Sequence, residues 1–205
     1  MPKSKERCSE IREEMCNLIL QKSLLYFARN GFAGTRISDL SKDIGIAQGT
    51  IYTYFESKEE LFNEVYKITD DKKSLKEMKL LSHLPVCAEM KIRKLSELLL
   101  DKIEKDIKFA ASVALNTQLL LEGGTESSSK ETTYKSGYYM ITAKIFMQGQ
   151  SEGSVVNGSA MKLADYYWGV IYLYSLKRLF TSSYEMITTD DLNRIVLTGG
   201  NNHAL

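Results

Sequence analysis

The sequence predicts an all-α protein, and three observations carry that expectation. Proline occurs only at Pro2 and Pro85, so residues 3–84 and 86–205 contain nothing that removes an amide donor and breaks a helix interior. Apolar residues recur at helical spacing, as in Ile11, Met15, Leu18, Ile19, Leu24 and Phe27. The strict alternation of a half-buried strand is missing from every long run.

Taken in order, the elements are about nine helices, expected at roughly 9–30, 37–44, 48–54, 58–80, 89–105, 107–122, 131–152, 159–182 and 189–198. Breaks fall at Asn30-Gly31, Gly45, Glu56-Ser57, Leu84-Pro85, Gly123-Gly124 and Gly153–Gly158. Each break carries Gly, Pro or a capping residue. The stretch 123–130 is the most loop-like. A chain of 205 residues, 43% hydrophobic and 26% charged, is long enough to bury a sizeable core and too apolar for a disordered class. Its longest uncharged apolar stretches fall short of a membrane span, so no membrane partner is expected. The charged start, Met1 to Arg7, lacks the apolar region of a secretion signal; a cytoplasmic location is expected.

Cys8, Cys16 and Cys87, with His83 and His203, show no metal-ligand spacing. Reduced thiols, no metal and no cofactor are the expectation. The net charge is +1, and residues 1–60 carry nine basic and nine acidic side chains. Affinity for a polyanion would therefore come from a small local arrangement, not from bulk charge. The arrangement available is Arg36, Lys58 and an N-terminal arm of Lys3, Lys5 and Arg7.

The N-terminal segment is the most informative. A long helix should stop at Asn30-Gly31, where glycine suits a left-handed cap. A short helix from Ile37 stops at Gly45, and another runs from Gln48 to Tyr54 after a tight turn. Ser57-Lys58-Glu59-Glu60 reads as a capping box, with Ser57 accepting from the Glu60 amide and the Glu60 carboxylate reaching back. Two short helices joined by a glycine-containing turn make a helix-turn-helix. Ile37, Leu40, Ile44, Ile46, Ile51 and Phe55 would lock it against Leu24 and Phe27.

The remaining side chains suit a major groove. Gln48 and Thr50 can hydrogen-bond base edges or phosphates. Gly49 lets the backbone approach closely. Tyr52 and Tyr54 can give a hydroxyl to phosphate, and Arg36, Ser38 and Lys58 can meet the DNA backbone from the flanks. The same two tyrosines and threonine also fit an ordinary amphipathic surface.

The run Phe27-Ala28-Arg29-Asn30-Gly31-Phe32-Ala33-Gly34-Thr35-Arg36-Ile37-Ser38-Asp39-Leu40, continued by Gly45-Ile46-Ala47-Gln48-Gly49-Thr50-Ile51-Tyr52-Thr53-Tyr54-Phe55-Glu56-Ser57-Lys58-Glu59-Glu60-Leu61, resembles the DNA-binding domain of TetR-type transcriptional regulators. The resemblance implies a homodimer whose third helices enter major grooves of double-stranded DNA. It places contacts at Ser38, Gln48, Gly49, Thr50, Tyr52, Thr53, Tyr54 and Lys58. It also implies a C-terminal domain that holds a small-molecule effector and dimerises through its last two long helices. The domain expectation is 1–56 for DNA and 57–205 for effector and dimer. Many members of that family carry Ser where this chain has Ala47. The alanine removes a helix-capping oxygen, which costs about 1 kcal/mol, and a hydroxyl that could meet phosphate.

The C-terminal part is rich in aromatic residues. Eight tyrosines lie between 134 and 184, with Trp168, Phe146 and Phe180. On a helix over 159–182, Leu163, Tyr167, Val170, Tyr174 and Arg178 form one stripe, assigned to the dimer interface. Trp168, Ile171, Tyr172 and Leu179 form another. Such stripes are core more often than ligand box, but buried phenols need polar partners that a ligand can supply. Phe109, Asn116, Tyr138, Tyr139, Trp168 and Tyr172 are the pocket candidates.

Gly149-Gln150-Ser151-Glu152-Gly153 matches the G-x-S-x-G elbow of serine hydrolases, and Asp190 or Asp191, then His203, follow in the matching order. That elbow needs a strand before the serine, and Tyr138–Gln148 reads as helix. The chain is therefore expected not to be an enzyme. Asn157-Gly158-Ser159 reads as a turn. The expected function is a repressor released from a pseudo-palindromic operator by an effector. The alternatives are a helical ligand- or protein-binding module without operator binding and, remotely, a hydrolase using Ser151.

Overall fold

The computed structural model describes residues 3–69, 72–121 and 137–199, with the side chains of 3–6 and 120 left aside. The loop 123–130, Tyr134, His203 and the side chains of Lys3 and Lys5 lie outside the described residues. The described residues form ten helices: α1 (Lys3–Gly34), α2 (Ile37–Ile44), α3 (Gln48–Tyr54), α4 (Lys58–Thr69), α5 (Lys72–His83), α6 (Ala88–Lys105), α7 (Ile107–Leu121), α8 (Gly137–Ser151), α9 (Ala160–Phe180) and α10 (Thr189–Asn193). The all-α expectation holds. The helix expected over 58–80 is two, α4 and α5, and the one expected over 189–198 ends at Asn193. Beyond it, Leu197 forms an isolated antiparallel bridge with Val155.

The chain divides into two compact units, residues 1–70 and 71–205. The boundary lies beyond the 56/57 division expected from the sequence, because α4 packs on α1. In the first unit Phe27, Phe32 and Phe62 form an aromatic knot, with the Phe27 and Phe62 centroids 5.0 Å apart and edge-on and those of Phe32 and Phe62 4.8 Å apart. Leu24, Ile37, Leu40, Ile51 and Phe55 are buried beside it, whereas Ile44 and Ile46 are only half-buried. Gly31 has φ 69° and ψ 169°, a conformation a β-carbon resists, and it breaks α1 three residues before its end.

In the second unit α6 is the central element, packed against α5, α7, α8, α9 and α10. Its buried face carries Ile92, Leu95, Leu99, Leu100 and Ile103. One polar network is sealed within this core. The Ser96 and Tyr167 hydroxyls lie 2.9 Å apart, and Ser96 donates to the Asn193 side-chain carbonyl at 2.6 Å. Burial pushes the Tyr167 phenol well above its ordinary pKa, so it acts here as a neutral hydroxyl. Tyr167→Phe is expected to lose about 1 kcal/mol, read as a small drop in the urea midpoint; an unchanged midpoint would mean the bond contributes nothing.

Candidate nucleic-acid interface

The helix-turn-helix is built from local signals. Gly45 ends α2 in the left-handed conformation, φ 83° and ψ 30°, and its amide donates to the Ser41 and Lys42 carbonyls. Ile46 also donates to Ser41, at 3.0 Å, which completes a Schellman closure. Ala47 then caps α3 in an extended conformation without a side-chain hydrogen bond, as its side chain requires. Ser57 accepts from the Glu60 amide at 3.1 Å, but the Glu60 carboxylate reaches the Glu56 amide, one residue earlier than a capping box places it.

Burial sorts the α3 side chains. Ile51 is inside. Ala47, Gln48, Gly49, Tyr52 and Thr53 are exposed, and Thr50 and Tyr54 are half-buried. The helix thus pins itself with Ile51 and leaves its N-terminal and outer residues accessible. The Thr53 hydroxyl donates to the Gly49 carbonyl at 3.0 Å, so its proton is committed within the helix. Arg36 is exposed and caps α2 in an extended conformation. Ser38 is half-buried.

Lys58 is placed differently from a free phosphate contact. Its ammonium donates to the Phe32 carbonyl at 3.0 Å and the Thr35 carbonyl at 3.2 Å. It also lies 4.2 Å from the Phe32 ring centroid. Lys58 therefore ties the start of α4 to the turn between α1 and α2. A second cation was not singled out in the sequence. The Arg12 guanidinium lies over the Tyr54 ring, 5.7 Å from its centroid. No spacing rule links positions so far apart on separate helices.

The pocket candidates of the second unit are brought together only in part. Phe109 and Tyr138 line a narrow cavity of about 40 Å³ with Met78, Leu81, Leu98 and Lys102. The Trp168 ring packs edge-on against Tyr138 and tilted against Tyr139, at 5.7 and 5.9 Å. Its indole N–H donates to the Thr142 hydroxyl at 3.1 Å, and Thr142 donates to the Tyr138 carbonyl at 2.8 Å. Asn116 and Tyr172 are half-buried and do not line this cavity.

The α9 stripe needs correction. Leu163 and Tyr167 face the core of their own unit, and Val170, Tyr174 and Arg178 are half-buried. The exposed stripe is Tyr166, Leu173 and Phe180, with Met140 and Met147 exposed on α8. Apolar residues on several sides of α9 gave spacing no means of choosing the outward face.

The hydrolase constellation is absent from the described residues. Ser151 ends α8 and donates to the Gln148 carbonyl at 2.7 Å. Asp190 pairs with Arg93 at 2.8 Å. Asp191 lies in the first turn of α10, which Thr188 caps, and the Thr188 hydroxyl holds its carboxyl below the usual range. No group of three metal-ligating side chains is found among the described residues. The three cysteines are free.

Residues 19–65, which frame the helix-turn-helix, match the family model for bacterial regulatory proteins of the tetR family. This segment is thus similar to the DNA-binding part of TetR-type regulators. The chain is 29% identical over 68 residues to the HTH-type transcriptional regulator AcrR of Shigella flexneri, covering 33% of this chain and 30% of that protein. It is 27% identical over 153 residues to the fatty acid metabolism regulator protein of Bacillus subtilis (strain 168), covering 71% of this chain and 73% of that protein. The solved structure of a protein provisionally assigned as a fatty acid metabolism regulator in Clostridium perfringens superposes with a TM-score of 0.61 at 21% identity, covering 87% of this chain and 96% of that one. The likeness in fold thus takes in residues of both units. No described helix is long and apolar enough to cross a membrane.

Proposed function

We propose that this chain is a TetR-type, DNA-binding repressor that acts as a homodimer and leaves its operator when a small molecule fills the second unit. The observation that carries the reading is α3, anchored by buried Ile51 while Gln48, Gly49 and Tyr52 stay exposed. A short helix held on one side and polar on the other can enter a major groove. Gln48 leads the helix and is the residue best suited to a base edge. Thr50 and Tyr52 suit phosphates, as does exposed Arg36. The dimer would use the α8–α9 face marked by Met147, Tyr166, Leu173 and Phe180, placing two α3 helices on a pseudo-palindrome.

The cavity beside Phe109 and Tyr138, about 40 Å³, holds little more than one water or a methyl group. A larger effector would have to part the helices around it, and that differential fit is what lets a ligand shift a conformational equilibrium. Its lining is apolar apart from Ser74, Glu77 and Lys102, which suits an aliphatic chain. Two relatives are named for fatty acid metabolism, so fatty acids and acyl thioesters are the first probes. A binding module without operator preference is the competing reading.

Selection of bound sites from random DNA, repeated with these probes, separates the two readings. The expected result is a pseudo-palindromic consensus whose recovery falls on adding the effector. Enrichment of no sequence would leave only the binding module. Gln48→Ala is expected to relax base preference at one position of each half-site by on the order of 1 kcal/mol, with phosphate-driven binding retained.

A further inference from the structure

We propose that Arg12 of α1 is a phosphate contact of the DNA interface, held in place by the ring of Tyr54 on α3. The inference rests on the operator-binding reading and adds a residue to it from outside the helix-turn-helix.

Few cations beside α3 are available. Lys58 is committed to the Phe32 and Thr35 carbonyls. Lys42 pairs with Asp39 at 3.4 Å. The net charge is +1, so no general positive field makes up the difference. Arg12 is exposed and, among the described residues, in no ion pair. Its guanidinium lies 5.7 Å from the Tyr54 centroid. Tyr54 closes the last turn of α3, so this cation stands at the C-terminal end of the recognition helix.

The chemistry suits a phosphodiester. A guanidinium that rests one face on a phenol ring keeps its N–H donors in the plane at its edge. Those donors match two oxygens of one phosphate, and the ring removes part of the side-chain freedom that binding would otherwise cost. A contact of this kind steadies the helix on the duplex without reading sequence.

Titration of Arg12→Gln, Arg12→Lys and the unmodified full-length protein on random-sequence duplex DNA over a range of salt tests the inference. Each phosphate contact adds about 0.9 to the slope of log affinity against log salt. Arg12→Gln is expected to lower that slope by about one contact per subunit, to weaken all sequences alike, and to melt with the unmodified protein. Arg12→Lys is expected to recover most of the slope. An unchanged slope in Arg12→Gln overturns the contact. So does a change in base preference without a change in slope, which would make Arg12 a support for Tyr54 only. An unmodified protein with no salt-dependent binding overturns the operator reading itself, and Arg12 with it.

Discussion

Gly149→Ala is expected to destabilise the second unit by about 3 kcal/mol, the upper end for overpacking a filled core. A β-carbon there would sit within 3.0 Å of the Val155 side chain, at a separation real β-carbons do not adopt, and 3.1 Å from the Ala88 β-carbon. Val155 has no easy retreat. It is buried, its amide donates to the Gly149 carbonyl at 3.1 Å, and it bridges to Leu197. Ala88 is fixed as well, since its amide donates to the Glu152 carboxylate at 2.7 Å. That bond and the Gln148 amide hold the Glu152 carboxyl below its ordinary pKa. The measurement is a urea titration followed at Trp168. A midpoint equal to the unmodified protein would show that the turn after α8 yields without cost. The first glycine of the apparent hydrolase motif is thus accounted for by helix packing against the chain's own turn.

Lys58→Met is expected to cost the first unit about 2 kcal/mol, combining a lost charged hydrogen bond to the Thr35 carbonyl with a lost cation–ring contact. The Phe32 carbonyl keeps the Thr35 amide, 3.2 Å away, so the loss falls mainly on the other acceptor. The methionine stem still covers Phe32, which isolates the role of the ammonium. The salt slope of DNA binding is expected to change little, because two of the three N–H donors are already used inside the protein. A fall of a full contact with unaltered stability would reverse that assignment and make Lys58 a phosphate ligand first.

The two cases show what the sequence could and could not carry. Features enforced within a few residues were legible. Glycine at 45 has a positive φ that demands it, Ser57 meets an amide three residues on, and the spacing of Ile37, Leu40 and Ile51 selected the buried side of α2 and α3. Features settled by a partner far along the chain were not. The Lys58 ammonium finds carbonyls 26 and 23 residues away, which no local pattern encodes. Tyr166, Leu173 and Phe180 were missed as the outward set because α9 offers apolar residues in both directions, and Tyr167 is turned inward beside Ser96 of α6. Arg12 lay in an acidic helical run with nothing nearby to mark its partner on α3.

The closing of the second unit on its own tail sets an order of assembly. Ser96 is bonded to a residue 97 positions later, and the turn after α8 is finished by Val196, Leu197 and Thr198, with Val156 donating to the Val196 carbonyl and Thr198 to Ser154. The first unit, by contrast, has its last buried aliphatic residue at Val65. During synthesis from the N-terminus the reader of DNA can therefore be complete while the ribosome is still making the regulatory half. That half lacks its closing contacts until this segment emerges, so a chain stalled short of residue 196 would present α3 without the completed unit proposed to release it.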